Sequence, residues 1–502
     1  MQLSKRYLPK ILSARVYDII SETPLQYAKN ISKNLDNNFY FKREDLQPIF
    51  SFKIRGSYNK IVNLSEDEKN RGIVACSSGN HAQGVAYSAN KLGIDSTIIM
   101  PTSTPSIKVN SVHNLGSNVI LHGNNVDESF TYANMLAEKH NLSMIHPFND
   151  PLVIAGQGTV GMEICKQISP DKIDAIFCCV GGGGLISGIA LYIKTLFPHI
   201  KIYGVEEENS AAMNQSLKKG SIVEIDNLGF FADGSAVKKI GEETFEISQK
   251  YVDDMVTVNV NEICAAIRNA YLDTRTIMEP AGILSLAGAE KFVKANNIKN
   301  KNIITICSGA NMDFDRLRFI SENYDTSEKL LYTQIPEKPG SFIDLYNCIY
   351  PLDVSEFSYR YSNQEYAQIL FSIKGSENQL LDMYDKLQEK NFNFKILEND
   401  YLSKMHLRYQ IGNKLESNIT EYLYRFEFPE NTGSLKHFLE ALKLKWNISL
   451  FHYRNSGSTE SSVLVGIQVV HSELGELEKT LDKIGYKYEN HTHNFLYQKM
   501  LI

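Results

Sequence analysis

Four successive glycines, Gly181 to Gly184, stand between the apolar run Ile173 to Val180 and a stretch in which Ile186, Ala190, Ile193 and Phe197 recur at helical spacing. The run predicts a buried strand and the stretch predicts a helix, so the glycines form a strand-to-helix turn. A plain turn does not require four residues that each lose the most backbone entropy on folding. A turn that brings backbone amides against a ligand does. Amides without side chains at a helix N-terminus present N–H groups and the positive end of the helix dipole, so the tetrad predicts a phosphate site. As a dinucleotide fingerprint the segment fails. A G-x-G-x-x-G begun at Gly181 or Gly182 places Ile186 or Ser187 where the third glycine belongs. Glu206, after the strand Ile202 to Val205, imitates the ribose-binding acid of that motif, but a nicotinamide reading leaves Lys53 and the turn Ser77 to Gly84 without a task.

The tetrad sits in a chain whose first part alternates short apolar strands with amphipathic stretches of helix length. Thr97 to Met100, Asn118 to Leu121, Ala175 to Phe177 and Ile303 to Ile306 are such strands. This alternation predicts an α/β unit with parallel sheets covered on both faces, and ligands bind at the carboxyl ends of such strands. We place this unit over residues 1–320, and the polar stretch 321–329 reads as a linker.

Lys53 lies in Phe50-Ser51-Phe52-Lys53-Ile54-Arg55-Gly56. Most lysines are solvated surface charges. Apolar neighbours on both sides strip hydration from this one, favouring the neutral amine that forms a Schiff base with an aldehyde. Ser77-Ser78-Gly79-Asn80-His81 follows the apolar run Ile73 to Cys76 and opens a helical pattern ending near Gly93, a donor-rich turn suited to a carboxylate. Cys307-Ser308-Gly309-Ala310-Asn311 follows the strand Asn302 to Ile306, and its hydroxyl is placed to face a ring nitrogen. His81 reads as a structural turn histidine rather than an acid or base. Glu206-Glu207-Glu208 reads as an exposed acidic edge rather than a cation site.

Together with Gly156-Gln157-Gly158-Thr159 and Glu279-Pro280-Ala281-Gly282, these words resemble the pyridoxal-phosphate enzymes of the tryptophan-synthase-β fold type. Asn149-Asp150-Pro151-Leu152-Val153-Ile154-Ala155-Gly156-Gln157 and Phe230-Phe231-Ala232-Asp233-Gly234 with Val237-Lys238 are similar to the threonine deaminases within that group. The resemblance runs from Thr23-Pro24-Leu25 to Trp446 through Arg454. It implies pyridoxal 5'-phosphate as cofactor, with Lys53 as attachment point and base, and Phe52 beside it. It implies Gly181, Gly182, Gly183, Gly184 and Leu185 on the phosphate, Asn80 on the ring hydroxyl and Ser308 on the ring nitrogen. Ser77, Ser78, Gly79, Asn80 and His81 then bind the substrate carboxylate. A neutral hydroxyl at the ring nitrogen leaves it unprotonated, which favours loss of a β-substituent over transamination. The implied reaction is deamination of L-threonine to 2-oxobutanoate, with L-serine as a slower substrate. The rivals are a β-replacement synthase or serine racemase of the same fold, and a nonenzymatic amino-acid sensor.

Beyond the linker the sequence repeats. Ile335-Pro336-Glu337-Lys338-Pro339-Gly340-Ser341-Phe342 returns as Phe428-Pro429-Glu430-Asn431-Thr432-Gly433-Ser434-Leu435, and Phe357-Ser358-Tyr359-Arg360 returns as Phe451-His452-Tyr453-Arg454. Two modules, over 330–401 and 423–494, resemble the small α+β ACT-like fold that binds amino acids. The resemblance implies isoleucine as an allosteric inhibitor and valine as a candidate activator, with Tyr359 and Tyr453 as candidate regulatory residues, and a homotetramer. A formal net charge of -6 opposes a nucleic-acid partner. No stretch reads as a membrane span or a targeting segment, and the 7 scattered cysteines give neither a disulfide framework nor a zinc spacing, so we expect reduced core thiols in a cytoplasmic protein with no metal.

Overall fold

The computed structural model describes residues 2–500 apart from 227, 230, 324–327, 337–340, 362–365, 398–399, 401, 404–405, 408–419, 430–436, 439–440, 443–444 and 454–459. The chain divides into two compact units, Met1–Tyr324 and Asp325–Ile502. The helix Arg316–Asn323 and the strand Glu328–Pro336 flank residues 324–327, within the stretch read as a linker.

The first unit holds two sheets. The larger is built from β1 (Leu25–Tyr27), β2 (Asn38–Arg43), β7 (Ala175–Cys179), β8 (Lys201–Glu207), β9 (Asp254–Val258) and β10 (Asn302–Cys307), in the order β1-β2-β10-β7-β8-β9. Its pairings are parallel apart from β1 on β2. The smaller comprises β3 (Ile73–Cys76), β4 (Ser96–Met100), β5 (Asn118–Leu121) and β6 (Ser143–Met144), all parallel, in the order β5-β4-β3-β6. All residues of β3 and of β7 are buried, the near-continuous apolar pattern of strands covered on both faces.

The helix Pro151–Gln167 fixes the geometry of the site from behind. Asp150 caps it by accepting from the Leu152 and Val153 amides, with Pro151 in the first turn. A Cβ on Gly156 would fall 2.5 Å from the Arg55 carbonyl oxygen, and one on Gly188 would fall 2.5 Å from the Gly158 nitrogen. Backbone therefore meets backbone on both flanks. The helix that starts at Lys53 and the helix that starts at Gly184 are thus held at fixed spacing on one support.

Arg55 locks the same region electrostatically. It is fully buried and donates to Glu44 at 2.7 Å and to Glu163 at 2.6 Å, while the Lys42 ammonium reaches Glu163 at 2.6 Å. Two cations and two anions cancel, which is the condition under which buried charges are tolerated.

The second unit contains two four-stranded sheets of one topology. β11 (Glu328–Pro336), β12 (Asp353–Tyr361), β13 (Tyr366–Lys374) and β14 (Phe394–Ile396) run in the order β12-β13-β11-β14. β15 (Glu421–Pro429), β16 (Asn447–Tyr453), β17 (Glu460–Gln468) and β18 (Lys487–Asn490) run in the order β16-β17-β15-β18. A register shift between Val354 and Glu356 recurs between Ile448 and Leu450, at the same place in the second copy. Alternate residues of β11 serve two cores. Leu331 and Ile335 pack with the helical residues Leu380 and Met383, whereas Leu330 and Tyr332 join Leu423 and Leu464 of the second module.

Candidate active site

Lys53 opens the helix Lys53–Val62, and the residues before it are stitched to the end of β10. Ser51 bridges Gly309, the Phe52 amide donates to the Ser308 carbonyl at 3.1 Å, and the Ala310 amide donates to the Phe50 carbonyl at 2.9 Å. Phe50 takes a left-handed backbone conformation, φ 55°, a strained state for an aromatic residue and one that such cross-linking holds in place. The Lys53 ammonium donates to the Pro147 carbonyl at 3.1 Å and lies 5.3 Å from the Phe52 ring centroid. Burial pushes its pKa down to about 8, so a neutral amine is accessible near neutral pH.

The turn after β3 leads into the helix Asn80–Leu92 with Gly79 at its N-cap. Ser77 Oγ accepts from the Gly79 amide at 3.2 Å, and Ser77, Ser78, Gly79 and Asn80 are half-buried. Asn80 Nδ2 donates to Glu279 Oε1 at 2.5 Å, and Asn80 Oδ1 accepts from Asn311 Nδ2 at 2.8 Å. Burial pushes the Glu279 carboxyl up to about 7. A Cβ on Gly309 would lie 2.1 Å from Glu279 Oε1, so the glycine makes room for the acid. His81 is buried with Nε2 at 2.8 Å from the Ile145 carbonyl, and burial pushes its pKa down to about 3. A neutral imidazole tied to backbone fits the structural reading of His81.

The glycine tetrad links the end of β7 to the helix Gly184–Leu196, and no side chain caps that helix. Gly183 has φ 90°, a conformation that favours glycine. A Cβ on Gly182 would strike the Phe148 ring at 2.2 Å, and one on Gly181 would lie 2.7 Å from the Ser235 carbonyl oxygen. Phe148 follows Pro147, so one loop touches both Lys53 and the tetrad. Leu185 is buried in the first turn. The amides of this turn are therefore presented by backbone that side chains would fill.

Ser308 completes the cluster. It is 3 % exposed, its amide donates to the Gly282 carbonyl at 2.9 Å, and its Oγ accepts from the Cys179 thiol at 3.1 Å. Cys307 is buried beside Arg43 and Asp45, which lie among the charges acting on its thiol. Strand alternation turns it away from the face that carries Ser308.

The donor set suits an aldehyde carrying a phosphate and a ring nitrogen. A desolvated amine, an uncapped glycine-built helix N-terminus, an anchored amide and a neutral hydroxyl gather at strand ends. A family model described as pyridoxal-phosphate dependent enzyme matches residues 16–309, and one described as the C-terminal regulatory domain of threonine dehydratase matches 320–407 and again 414–501. A mitochondrial threonine dehydratase of Schizosaccharomyces pombe is 48% identical over 99% of this chain and 84% of its own length. The chain belongs to the threonine dehydratase family. A biosynthetic L-threonine dehydratase of Pasteurella multocida is 45% identical over 99% of this chain and 97% of its own. The structure of processed threonine deaminase isoform 2 from Solanum lycopersicum matches with 46% identity and a TM-score of 0.63, over 64% of this chain and 93% of that one. Serine racemase from Dictyostelium discoideum matches with 33% identity and a TM-score of 0.57, over 61% of this chain and 99% of that one.

Tyr359 and Tyr453 occupy matching positions, Tyr359 opposite Ile369 on β13 and Tyr453 opposite Val463 on β17, while their side chains lie outside the described residues. The acidic run Glu206-Glu207-Glu208 is not an exposed edge. Glu206 and Glu207 are buried, and only Glu208 is exposed. Glu206 accepts from the Met213 and Asn214 amides at 2.9 and 2.8 Å, closing the N-terminus of the helix Ala212–Lys219, and Glu207 accepts from the Ala232 amide at 3.0 Å. A strand end met by unpaired amides can bury acids that alternation and charge alone place in solvent. Among the described residues no group of three or more His, Cys, Asp or Glu is placed to hold a metal ion, and no helix is long and apolar enough to cross a membrane.

Sequence reasoning missed three participants. Glu279 was legible only as part of a motif word, and Cys179 only as a core thiol. Asp233 is ion-paired with Lys108 at 2.9 Å and Arg316 at 3.2 Å, joining the loop beside the site to two separate helices. None of these pairings has a spacing in the chain that announces it.

Proposed function

We infer that this chain is a pyridoxal-phosphate-dependent threonine ammonia-lyase that converts L-threonine to 2-oxobutanoate and ammonia, the entry step of isoleucine synthesis. The observation that carries the reading is the desolvated Lys53 amine, held at 3.1 Å from a backbone carbonyl on a scaffold aligned over 99% of the chain with a threonine dehydratase. In this proposal Lys53 carries the cofactor covalently, with Phe52 beside it, and its amine, once released, takes the proton from the substrate Cα. An amine whose pKa is near 8 can accept that proton at working pH and return it later.

The amides of Gly181, Gly182, Gly183, Gly184 and Leu185 hold the phosphate with the help of the helix dipole. Asn80, already committed to Glu279 and Asn311, has one N–H left for the ring hydroxyl. Ser308 faces the ring nitrogen with a neutral hydroxyl. Ser77, Ser78 and the amides of Gly79, Asn80 and His81 grip the substrate carboxylate and so select which Cα bond stands perpendicular to the ring. The bound cofactor supplies the sink for the electron pair left at Cα.

Isoleucine is the proposed inhibitor and valine the candidate activator, both acting through the duplicated modules with Tyr359 and Tyr453 as contact candidates. The duplicated sheets, outside the first unit, support a separate effector site. A homotetramer and a cytoplasmic location belong to the same proposal, and seven free thiols agree with a reducing compartment. The deciding experiment is product identification by mass spectrometry with L-threonine and L-serine, with and without isoleucine. Formation of 2-oxobutanoate supports the reading. Inverted amino acid or a β-substituted product as the main species would replace it with a racemase or a synthase.

A further inference from the structure

We propose that Cys179 is a positioning residue that orients the Ser308 hydroxyl, a role that rests on the placement of Ser308 at the cofactor ring nitrogen. β7 and β10 are parallel neighbours, with Ile303 opposite Ala175 and Thr305 opposite Phe177, so Cys179 and Ser308 emerge side by side at the carboxyl ends of adjacent strands. Both are buried, and the Cys179 thiol donates to Ser308 Oγ at 3.1 Å. Among the described residues the other hydrogen-bond partner of that oxygen is the Ala281 carbonyl at 3.5 Å, the outer edge of a useful hydrogen bond.

A hydroxyl has one hydrogen and two lone pairs. With a lone pair engaged by the thiol, the Ser308 hydrogen cannot point at Cys179. It is left to choose between the distant Ala281 carbonyl and an acceptor in the pocket, and a ring nitrogen with a free lone pair is the better partner. Burial of both side chains raises the weight of that choice, because it limits competition from solvent. Loss of the thiol frees the hydroxyl to rotate and leaves the ring nitrogen easier to protonate.

The test uses the full chain and compares Cys179→Ala, Cys179→Ser, Ser308→Ala and the double variant Cys179→Ala/Ser308→Ala. Two readouts are taken: the dissociation constant for pyridoxal 5'-phosphate, from spectroscopic titration of each apoprotein, and the fraction of L-threonine turnover diverted to the pyridoxamine form. Cys179→Ala is expected to weaken cofactor binding by about 2–10-fold, the span of one hydrogen bond, and to raise the diverted fraction. Cys179→Ser, which keeps a donor, is expected to restore both. In the Ser308→Ala background the Cys179 change is expected to add nothing. If Ser308→Ala moves neither readout, the placement of Ser308 fails. If Ser308→Ala moves both while Cys179→Ala moves neither, or if the two Cys179 effects persist undiminished without the Ser308 hydroxyl, the role of Cys179 is overturned alone. Circular dichroism of each apoprotein separates these outcomes from misfolding, and Cys179→Ser, the smallest change in shape, decides the matter if Cys179→Ala does not fold.

Discussion

Asn80 Nδ2 lies 2.5 Å from Glu279 Oε1, joining the first turn of a helix behind the smaller sheet to the N-cap of the helix Pro280–Ala295. With Asn311 donating to the opposite side of the same amide, the direction of Asn80 is set by its partners. The carboxyl that does this is buried and held protonated up to about pH 7.

Removing that anchor has a specific consequence. Glu279→Ala is expected to release the Asn80 amide and weaken pyridoxal 5'-phosphate binding by about 2–10-fold, the worth of one hydrogen bond between neutral groups. Glu279→Gln, which keeps an acceptor for Asn80, is expected to retain most of the affinity. Equal losses in both variants, measured by cofactor titration, would show that the acceptor is not what matters.

Lys53→Ala is expected to abolish the visible absorbance of the bound cofactor and to lower turnover by at least about 100-fold, because attachment point and base are lost together. Borohydride treatment of the wild-type protein followed by peptide mapping locates the attachment. Label on any other lysine excludes the assignment.

Ser308→Asp is expected to protonate the ring nitrogen, slow deamination and increase the pyridoxamine side product while the cofactor still binds. The ratio of 2-oxobutanoate to pyridoxamine form measures it. An unchanged ratio would mean that this side chain does not govern the ring nitrogen.

Glu206 offers a test by pH. Burial raises its pKa to about 8 from an ordinary value of 4.5, so the folded state binds a proton that the unfolded state has released. Its contribution to stability is therefore greatest below the unfolded value and is lost as pH rises through the folded one. Glu206→Gln cannot titrate. The stability difference between wild type and variant is expected to shift toward the variant by on the order of 2–4 kcal/mol between about pH 5 and about pH 8. Urea denaturation at both ends of that range checks it, and a difference independent of pH contradicts the raised pKa.

A chain ending near Thr326 keeps the whole first unit, Met1–Tyr324, and is expected to deaminate threonine without sigmoidal inhibition by isoleucine. Tyr359→Ala or Tyr453→Ala in the full chain is expected to weaken inhibition, within the 5–150-fold range of ordinary allosteric coupling, about 1–3 kcal/mol. A folded truncate as sensitive to isoleucine as the full chain would remove the regulatory role from the modules.

The elements and their class are written in local patterns along the chain. Strands at Thr97 to Met100 and Asn118 to Leu121 and the helix ending at Gly93 follow from apolar runs and glycine punctuation, which are local signals. The duplication was legible for the same reason, since a repeat of words is a repeat of structure, and β12 and β16 share even their register shift. Which residues meet depends on how those elements pack. Asn80 and Glu279 stand 199 residues apart in the chain, and Cys179 and Ser308 face each other because β7 and β10 pair. The acids at 206–207 read as surface until the amides of Met213, Asn214 and Ala232 are brought to them. Periodicity tells a residue which face it occupies, whereas a hydrogen bond across the chain depends on the packing of elements whose order in a sheet no local pattern specifies.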